Sequence, residues 1–161
     1  VFPRNQYRID YLSTLSKLGI ECFRGNESSW IYNNSQNSFR KKTQRILRLM
    51  DSYFNISGNN TYSLKNCFQK KPFNFPSSRF LRPYSPKFSA LESLRFRRIK
   101  KAMDNAAINN ELFHIWWHPH NFGIHRDENI EFLSKILGHY NFLKNKYGMK
   151  SLNMGELAQL Y

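Results

Sequence analysis

Cysteine is scarce in this sequence: Cys22 and Cys67 are the only two, and they do not form a paired spacing. Neither a disulfide framework nor a zinc ribbon is therefore indicated. Long apolar runs are missing as well, since no stretch approaches the roughly 18 residues that a membrane-spanning helix needs. Acidic residues are also few, with 11 Asp and Glu against 25 Lys and Arg.

The resulting net charge of +14 favours polyanionic partners through long-range attraction. Nucleic acid, an anionic glycan and a lipid surface are equal candidates on this ground. The charge has a second interpretation, because codon usage biased toward adenine and thymine enriches Lys, Asn, Ile, Phe and Tyr together. The basic residues would then be spread over a solvated surface.

The length and composition predict a single globular domain over residues 1–161, because 40% of the residues are hydrophobic and 16% are aromatic. The chain opens with Val1 inside an apparent strand end, which predicts a piece of a longer protein. The first elements are a strand end at Phe2, a helix carrying Leu12, Leu15 and Leu18 up to Gly19, and a strand over residues 20–23. Strand, helix and strand in this order predict an α/β fold with parallel strands.

A short buried strand is predicted over residues 113–118, and it ends at His118. Alternation places Phe113, Ile115 and Trp117 on one side, and His114, Trp116 and His118 on the other. Pro119 lacks the backbone donor that would continue the strand. In α/β proteins ligands bind at the carboxyl ends of strands, so His118 is a candidate catalytic residue. The alternative is a hydrogen-bonded histidine of the core.

Three nearby histidines, His114, His118 and His120, raise the question of a metal site. His114 and His118 would lie roughly 13 Å apart along a strand, whereas both must approach a zinc ion to about 2 Å. His118 and His120 could share an ion only if the turn at Pro119 folds them together, which we do not expect. The sequence therefore predicts no metal site within this chain.

The middle of the chain has less regular patterns. A basic helix is predicted from Ser38 to about Tyr53, with an inward face of Phe39, Ile46, Met50 and Tyr53. Residues 55–88 contain four prolines and no periodicity, which predicts a long irregular excursion over the surface. The aromatic residues of this excursion either pack against sugar rings or hold the loop to the body.

Two further helices follow. A capping box over residues 89–92 predicts a helix to about Ala107, whose residues 95–101 form the densest basic patch of the chain. A helix over residues 129–147 ends at Gly148. Its predicted core-facing residues are Ile130, Leu133, Ile136, Leu137, Tyr140, Leu143 and Tyr147. A last short strand is predicted over residues 151–153.

Several motifs at the two ends of the chain are similar to those of a known family. Residues 115–119 (Ile-Trp-Trp-His-Pro) and residues 154–158 (Met-Gly-Glu-Leu-Ala) resemble the last motif and the tail of the polysaccharide deacetylases. These are the NodB-homology domains of carbohydrate esterase family four. Residues 2–5 (Phe-Pro-Arg-Asn) resemble the third motif, and Trp30 lies 26 residues after Arg4, about where the fourth motif has a tryptophan. The usual acidic residue before that tryptophan is Ser29 here, with Glu27 as the nearest carboxylate.

This resemblance implies the carboxyl half of an incomplete (β/α) barrel, with residues 38–88 as an insertion. It further implies hydrolysis of an N-acetyl or O-acetyl group on a polysaccharide, with His118 protonating the leaving amine. Arg4 would orient the catalytic carboxylate, Trp30 would wall the acetyl pocket, and Trp116 and Asn5 would contact the substrate. The family's divalent metal, such as zinc, would bind residues upstream of this chain, which has no Asp-Asp pair. The piece alone is expected to be inactive.

Two other hypotheses remain open. The first is a basic nucleic-acid-binding module that uses the predicted helices around residues 40–48 and 95–101. The second is a glycan-binding relative of the deacetylases that has lost the upstream catalytic carboxylates.

Overall fold

A computed structural model describes Phe2, residues 7–32 and residues 38–160. In this part the chain forms seven α-helices: α1 (Leu12–Lys17), α2 (Ser38–Asp51), α3 (Leu64–Cys67), α4 (Glu92–Asn109), α5 (Pro119–Phe122), α6 (Arg126–Tyr147) and α7 (Met154–Ala158). It also forms six strands: β1 (Cys22–Phe23), β2 (Tyr62–Ser63), β3 (Phe73–Asn74), β4 (Arg79–Phe80), β5 (Glu111–Leu112) and β6 (Ile115–Trp116). Helices and strands are thus mixed along the chain.

The strands form three pairs. β1 pairs with β3 and β4 pairs with β6, both in parallel, whereas β2 and β5 are antiparallel. Parallel strands were predicted from the order of the elements, but the parallel partners of β1 and β6 are β3 and β4, which lie where no strand was predicted. Among the described residues the three pairs remain separate two-stranded sheets, and none of them closes into a barrel.

The stretch over residues 73–81 connects the two parallel pairs. The Phe75 backbone N–H donates to the Phe23 carbonyl at 2.9 Å, and the Leu81 N–H donates to the Trp116 carbonyl at 2.8 Å. Phe75 and Leu81 are both buried. The predicted irregular surface excursion over residues 55–88 is therefore wrong for this stretch. Every second residue of this stretch faces inward, but two of these inward positions hold the polar residues Ser77 and Arg79. The sequence therefore does not show the alternation of apolar and polar residues that is typical of a strand.

The main core lies between α4, α6 and the β4–β6 pair. Its buried members are Leu81, Ile99, Met103, Phe132, Ile136 and Leu143. A second cluster joins β3 to α3 and α7, and its buried members are Cys67, Phe73, Phe75, Leu157 and Ala158. Residues 151–153 form no strand, because Asn153 instead caps α7 in a capping box with Glu156.

The buried face of helix α6 differs from the predicted one. Ile136 and Leu143 are buried as expected, but Ile130, Leu137 and Tyr147 are exposed. Their places are taken by Asn129, Phe132 and His139. His139 is buried because its Nε2 lies 2.7 Å from a carboxylate oxygen of Asp104 on α4. The helix does end at Gly148, which has the positive φ of 70° that favours glycine.

Most of the predicted inward face of helix α2 is exposed, since Phe39, Ile46 and Met50 face outward, whereas Tyr53, just past the end of the helix, is buried as predicted. The helix is instead held by polar contacts: Arg48 Nε donates to the Ile31 carbonyl at 2.6 Å, and Asp51 is completely buried.

Among the described helices, we find none that combines the length and the apolar character required to cross a membrane.

Helix α4 also departs from the prediction at its start and on its surface. It begins at Glu92, and its N-cap residue Leu91 makes no side-chain hydrogen bond, so the predicted capping box does not form. Arg95 and Arg98 are each only 3% exposed. The basic patch predicted over residues 95–101 is therefore not a continuous surface, because these two guanidinium groups bind acceptors inside the protein.

Candidate functional site

Two aromatic rings form a platform at one edge of the β4–β6 pair. Phe80 and Trp116 are register partners, and their ring centroids lie 4.7 Å apart at an angle of 45°. Because β4 and β6 run in parallel, both strands present their carboxyl ends at this edge. The Phe80–Trp116 platform thus occupies the position where α/β proteins bind ligands.

His118 lies beside this platform, two residues beyond β6. Its ring centroid is 5.2 Å from that of Trp116 at 90° and 5.7 Å from that of Phe80. The residue is exposed to solvent, and its extended backbone leads directly into Pro119 at the start of α5. His118 does lie next to an aromatic residue just past a strand, but the strand is shorter than predicted: β6 covers Ile115–Trp116 rather than residues 113–118, and both of its residues are only partly buried. The alternative of a histidine sealed in the core does not describe His118.

The turn at Pro119 does bring His118 and His120 together, contrary to expectation. Their rings stack with centroids 5.3 Å apart at 25°. His114 lies elsewhere: its Nδ1 is 3.1 Å from the Phe75 carbonyl, to which it donates, and burial lowers its pKa. Among the described residues no group of three metal-binding side chains is found.

The indole of Trp116 is fixed by a hydrogen-bonded chain. Its Nε1 donates to Ser77 Oγ at 2.6 Å, and Ser77 Oγ donates to Glu27 Oε1 at 2.8 Å. Glu27 is buried, and this burial raises its pKa, against the opposing effects of the Ser77 hydrogen bond and of Arg79. Glu27 is therefore connected to the Trp116 ring, which contacts His118, through the hydroxyl of Ser77. It orients the platform and does not itself hydrogen-bond to His118 in the part of the chain that the structure describes.

Arg24 is a site residue that the sequence analysis missed. It follows β1 directly, and its Cζ lies 3.9 Å from the centroid of the Trp116 ring, where the cation faces the aromatic ring. Its position just beyond a parallel strand was a usable signal, the same one that identified His118. Ser77 was missed because its segment lacks an evident strand pattern, whereas Phe80 was among the aromatic residues considered for contact with sugar rings.

Trp30, another predicted site residue, is not joined to His118 in the described part of the chain. Trp30 is 62% exposed, and its carbonyl accepts a hydrogen bond from Gln44 Nε2 at 3.2 Å. Within the described ranges, no hydrogen bond or ring contact links Trp30 to His118. Arg4 and Asn5 lie outside the described residues, so their predicted roles stay predictions.

Asn129 holds the loop that follows His118. The residue is 1% exposed, and its Nδ2 donates to the carbonyls of Phe122 and Ile124 at 3.2 and 2.8 Å. Its Oδ1 accepts from the Tyr84 backbone N–H at 2.6 Å. One buried amide thereby connects the loop after α5 to the segment after β4.

We expect Asn129→Ala to lower the free energy of unfolding by about 1–3 kcal/mol, because three backbone groups lose their partner when this buried amide is removed. Urea unfolding followed by circular dichroism measures this loss. Asn145→Ala is the matched control, since it changes the same residue type at an exposed position of the same helix. Equal unfolding free energies for the two variants would show that the Asn129 contacts contribute nothing.

The arrangement combines an exposed imidazole, an aromatic platform and a guanidinium group stacked on that platform. Exposed imidazole groups beside a ligand site serve as proton donors and acceptors in many enzymes. Aromatic side chains of this kind also provide apolar contact for a ligand.

The chain matches no protein-family model, and searches of curated proteins and of solved structures give no match either.

Proposed function

We propose that this chain is the carboxyl-terminal part of a polysaccharide deacetylase that removes N-acetyl or O-acetyl groups from a glycan. The observation that carries the proposal is the exposed His118 beside the Phe80–Trp116 platform, at the carboxyl ends of two parallel strands. The resemblance of residues 115–119 to the last motif of that family supports the same assignment. The two parallel strand pairs would belong to an incomplete (β/α) barrel.

The chemistry assigned to this chain is a proton transfer. Water adds to the acetyl carbonyl carbon, the carbon–nitrogen bond of the tetrahedral intermediate breaks, and acetate and a free amine result. His118 donates its proton to the departing nitrogen, which turns a poor leaving group into a neutral amine. In the family that the chain resembles, a divalent metal would polarise the carbonyl. Residues upstream of this chain would supply its ligands and the carboxylate base.

Arg4, Asn5 and Trp30 keep their proposed roles as orienter of the carboxylate, substrate contact and pocket wall. Trp116 has support for a role of its own, because Ser77 and Glu27 fix its ring beside His118. The nucleic-acid hypothesis loses part of its basis, since Arg95 and Arg98 are buried.

Acetate release from an N-acetylated oligosaccharide by the full-length protein tests the proposal. We expect His118→Ala to reduce the rate by about 100-fold or more, the usual contribution of a general acid. His125→Asn is a suitable control, because His125 is exposed outside the site and has a φ of 56°, which Asn tolerates. Undiminished release by His118→Ala would refute the assignment. Glycan binding without release by the wild type would favour the non-catalytic relative.

A further inference from the structure

Helix α2 presents an apolar ridge to solvent. Ile46, Met50 and Phe54 are spaced four residues apart, so they lie along one face of the helix. This face continues past Asp51 at the end of α2, because the Phe54 backbone N–H donates to the Met50 carbonyl at 2.9 Å. The three residues are 63%, 40% and 45% exposed, respectively. We call Ile46, Met50 and Phe54 the α2 ridge.

The opposite face of α2 is polar and contacts the rest of the protein. Gln44 Nε2 on this face donates to the Trp30 carbonyl at 3.2 Å, and Asp51 is buried against Arg79. A surface helix normally turns its apolar stripe to the core and its polar face to water. In α2 this arrangement is inverted. An apolar surface that is exposed beside polar residues is typical of an interaction site.

Basic side chains accompany the α2 ridge. Lys41, Lys42 and Arg45 are exposed on the same helix, and Lys42 lies one turn before Ile46. No carboxylate pairs with these three cations in the part of the chain that the structure describes. The single acidic residue of α2, Asp51, is buried. The exposed surface of α2 is therefore both apolar and positively charged.

Charge decides which partner fits this surface. A second copy of the chain carries the same net charge of +14 and would be repelled. A nucleic acid would pair with the cations, but its phosphate backbone gives the α2 ridge no apolar surroundings. A bilayer with anionic lipids offers negative headgroups next to apolar acyl chains, and it suits a helix that has basic residues beside large apolar ones.

We propose that α2 binds the surface of an anionic lipid bilayer. The helix would lie parallel to the bilayer, with the α2 ridge at the boundary between headgroups and acyl chains. Lys41, Lys42 and Arg45 would reach the lipid phosphates, because long basic side chains place their apolar stems along apolar surface and their charge in the polar layer. This inference goes beyond the proposed function and does not depend on it.

Co-sedimentation of the full-length protein with sucrose-loaded vesicles tests the inference. Vesicles of phosphatidylcholine alone are compared with vesicles that also contain phosphatidylglycerol. We expect binding to the anionic vesicles to be about 100-fold tighter, because each of three basic residues near such a surface contributes about fivefold. Ile46→Ser should weaken binding to the anionic vesicles by about tenfold, because one inserted apolar side chain is lost. Phe54→Ser should give a similar loss.

Ile108→Ser is the matched control, because Ile108 is 62% exposed on α4, nearly the same as Ile46. It should bind anionic vesicles like the wild type. Both isoleucine variants should unfold at the wild-type urea concentration, because both side chains are exposed. Equal binding of the wild type to the two kinds of vesicle, or none to either, would overturn the inference, as would equal weakening by Ile46→Ser and Ile108→Ser. Tighter binding to single-stranded oligo(dT) than to anionic vesicles would indicate a nucleic acid as the partner and would also overturn it.

Discussion

Replacing Asp51 with alanine is expected to lower the free energy of unfolding by about 3–5 kcal/mol, the usual cost of removing one partner from a buried ion pair. Asp51 is 0% exposed, and its carboxylate lies 2.5 Å from an Arg79 nitrogen and 3.6 Å from an Arg98 nitrogen. Both arginines are buried as well. Without the carboxylate, two cations would remain inside the protein with no opposing charge at that point.

Asp51 also satisfies neutral donors. The Tyr32 hydroxyl donates to it at 2.9 Å, and the Ser57 backbone N–H and hydroxyl donate at 2.8 and 2.7 Å. The contacts extend from Tyr32, which ends a short 3₁₀ helix (Trp30–Tyr32), through the end of α2 to β4. Since Arg79 immediately precedes Phe80, the Asp51 carboxylate also supports the strand on which half of the platform is built.

Urea unfolding of the Asp51→Ala variant measures the loss. Asp127→Ala provides the comparison, because the side chain of Asp127 is 85% exposed and its pairing with Arg126 lies in solvent. Exposed pairs of this kind contribute little, so this control should unfold like the wild type. If both variants unfolded at the wild-type urea concentration, the buried carboxylate would have no stabilising role.

The Asp51 carboxylate also makes the free energy of unfolding depend on pH, and it predicts a loss of stability in acid. Burial opposes ionisation of Asp51, but the Arg79 charge and the Ser57 hydrogen bonds outweigh it and lower the pKa to about 2. A carboxyl group with a pKa below its unfolded value of about 4 stabilises the fold above that value. The contribution is lost as the pH falls from about 4 through 2. Thermal melting should therefore show a steeper acid loss for the wild type than for Asp51→Asn, and parallel curves would contradict this.

Local sequence was sufficient to predict the features that depend on neighbouring residues. Alternation followed by Pro119 predicted a strand that stops before this proline, although β6 already ends at Trp116, and Gly148 predicted the end of α6. Polar residues whose partners are distant in sequence were predicted wrongly. Arg79 is buried because Asp51 lies 28 positions away to neutralise it, and no local pattern reveals such a pairing.

Only some of the residues of the site could be predicted, because several of its contacts join residues that are far apart in the sequence. His118 and Trp116 are close in sequence and were identified together. Arg24 and Ser77 reach Trp116 only after β1, β4 and β6 are assembled, so their contribution depends on the fold. In helix α4 the sequence suggested a binding surface that does not form. Its charge pattern predicted an exposed basic patch, whereas Arg98 is directed toward buried Asp51.

The central claim is that His118 protonates the leaving nitrogen, and the most direct test varies the leaving group. Amide hydrolysis needs this proton, whereas 4-nitrophenyl acetate releases a stable phenolate without it. The measurement compares wild type and His118→Ala of the full-length protein on an N-acetylated oligosaccharide and on the aryl ester. We predict a loss of about 100-fold or more on the amide and little loss on the ester. An equal loss on both substrates, or none on the amide, would contradict the assignment of His118 as the proton donor.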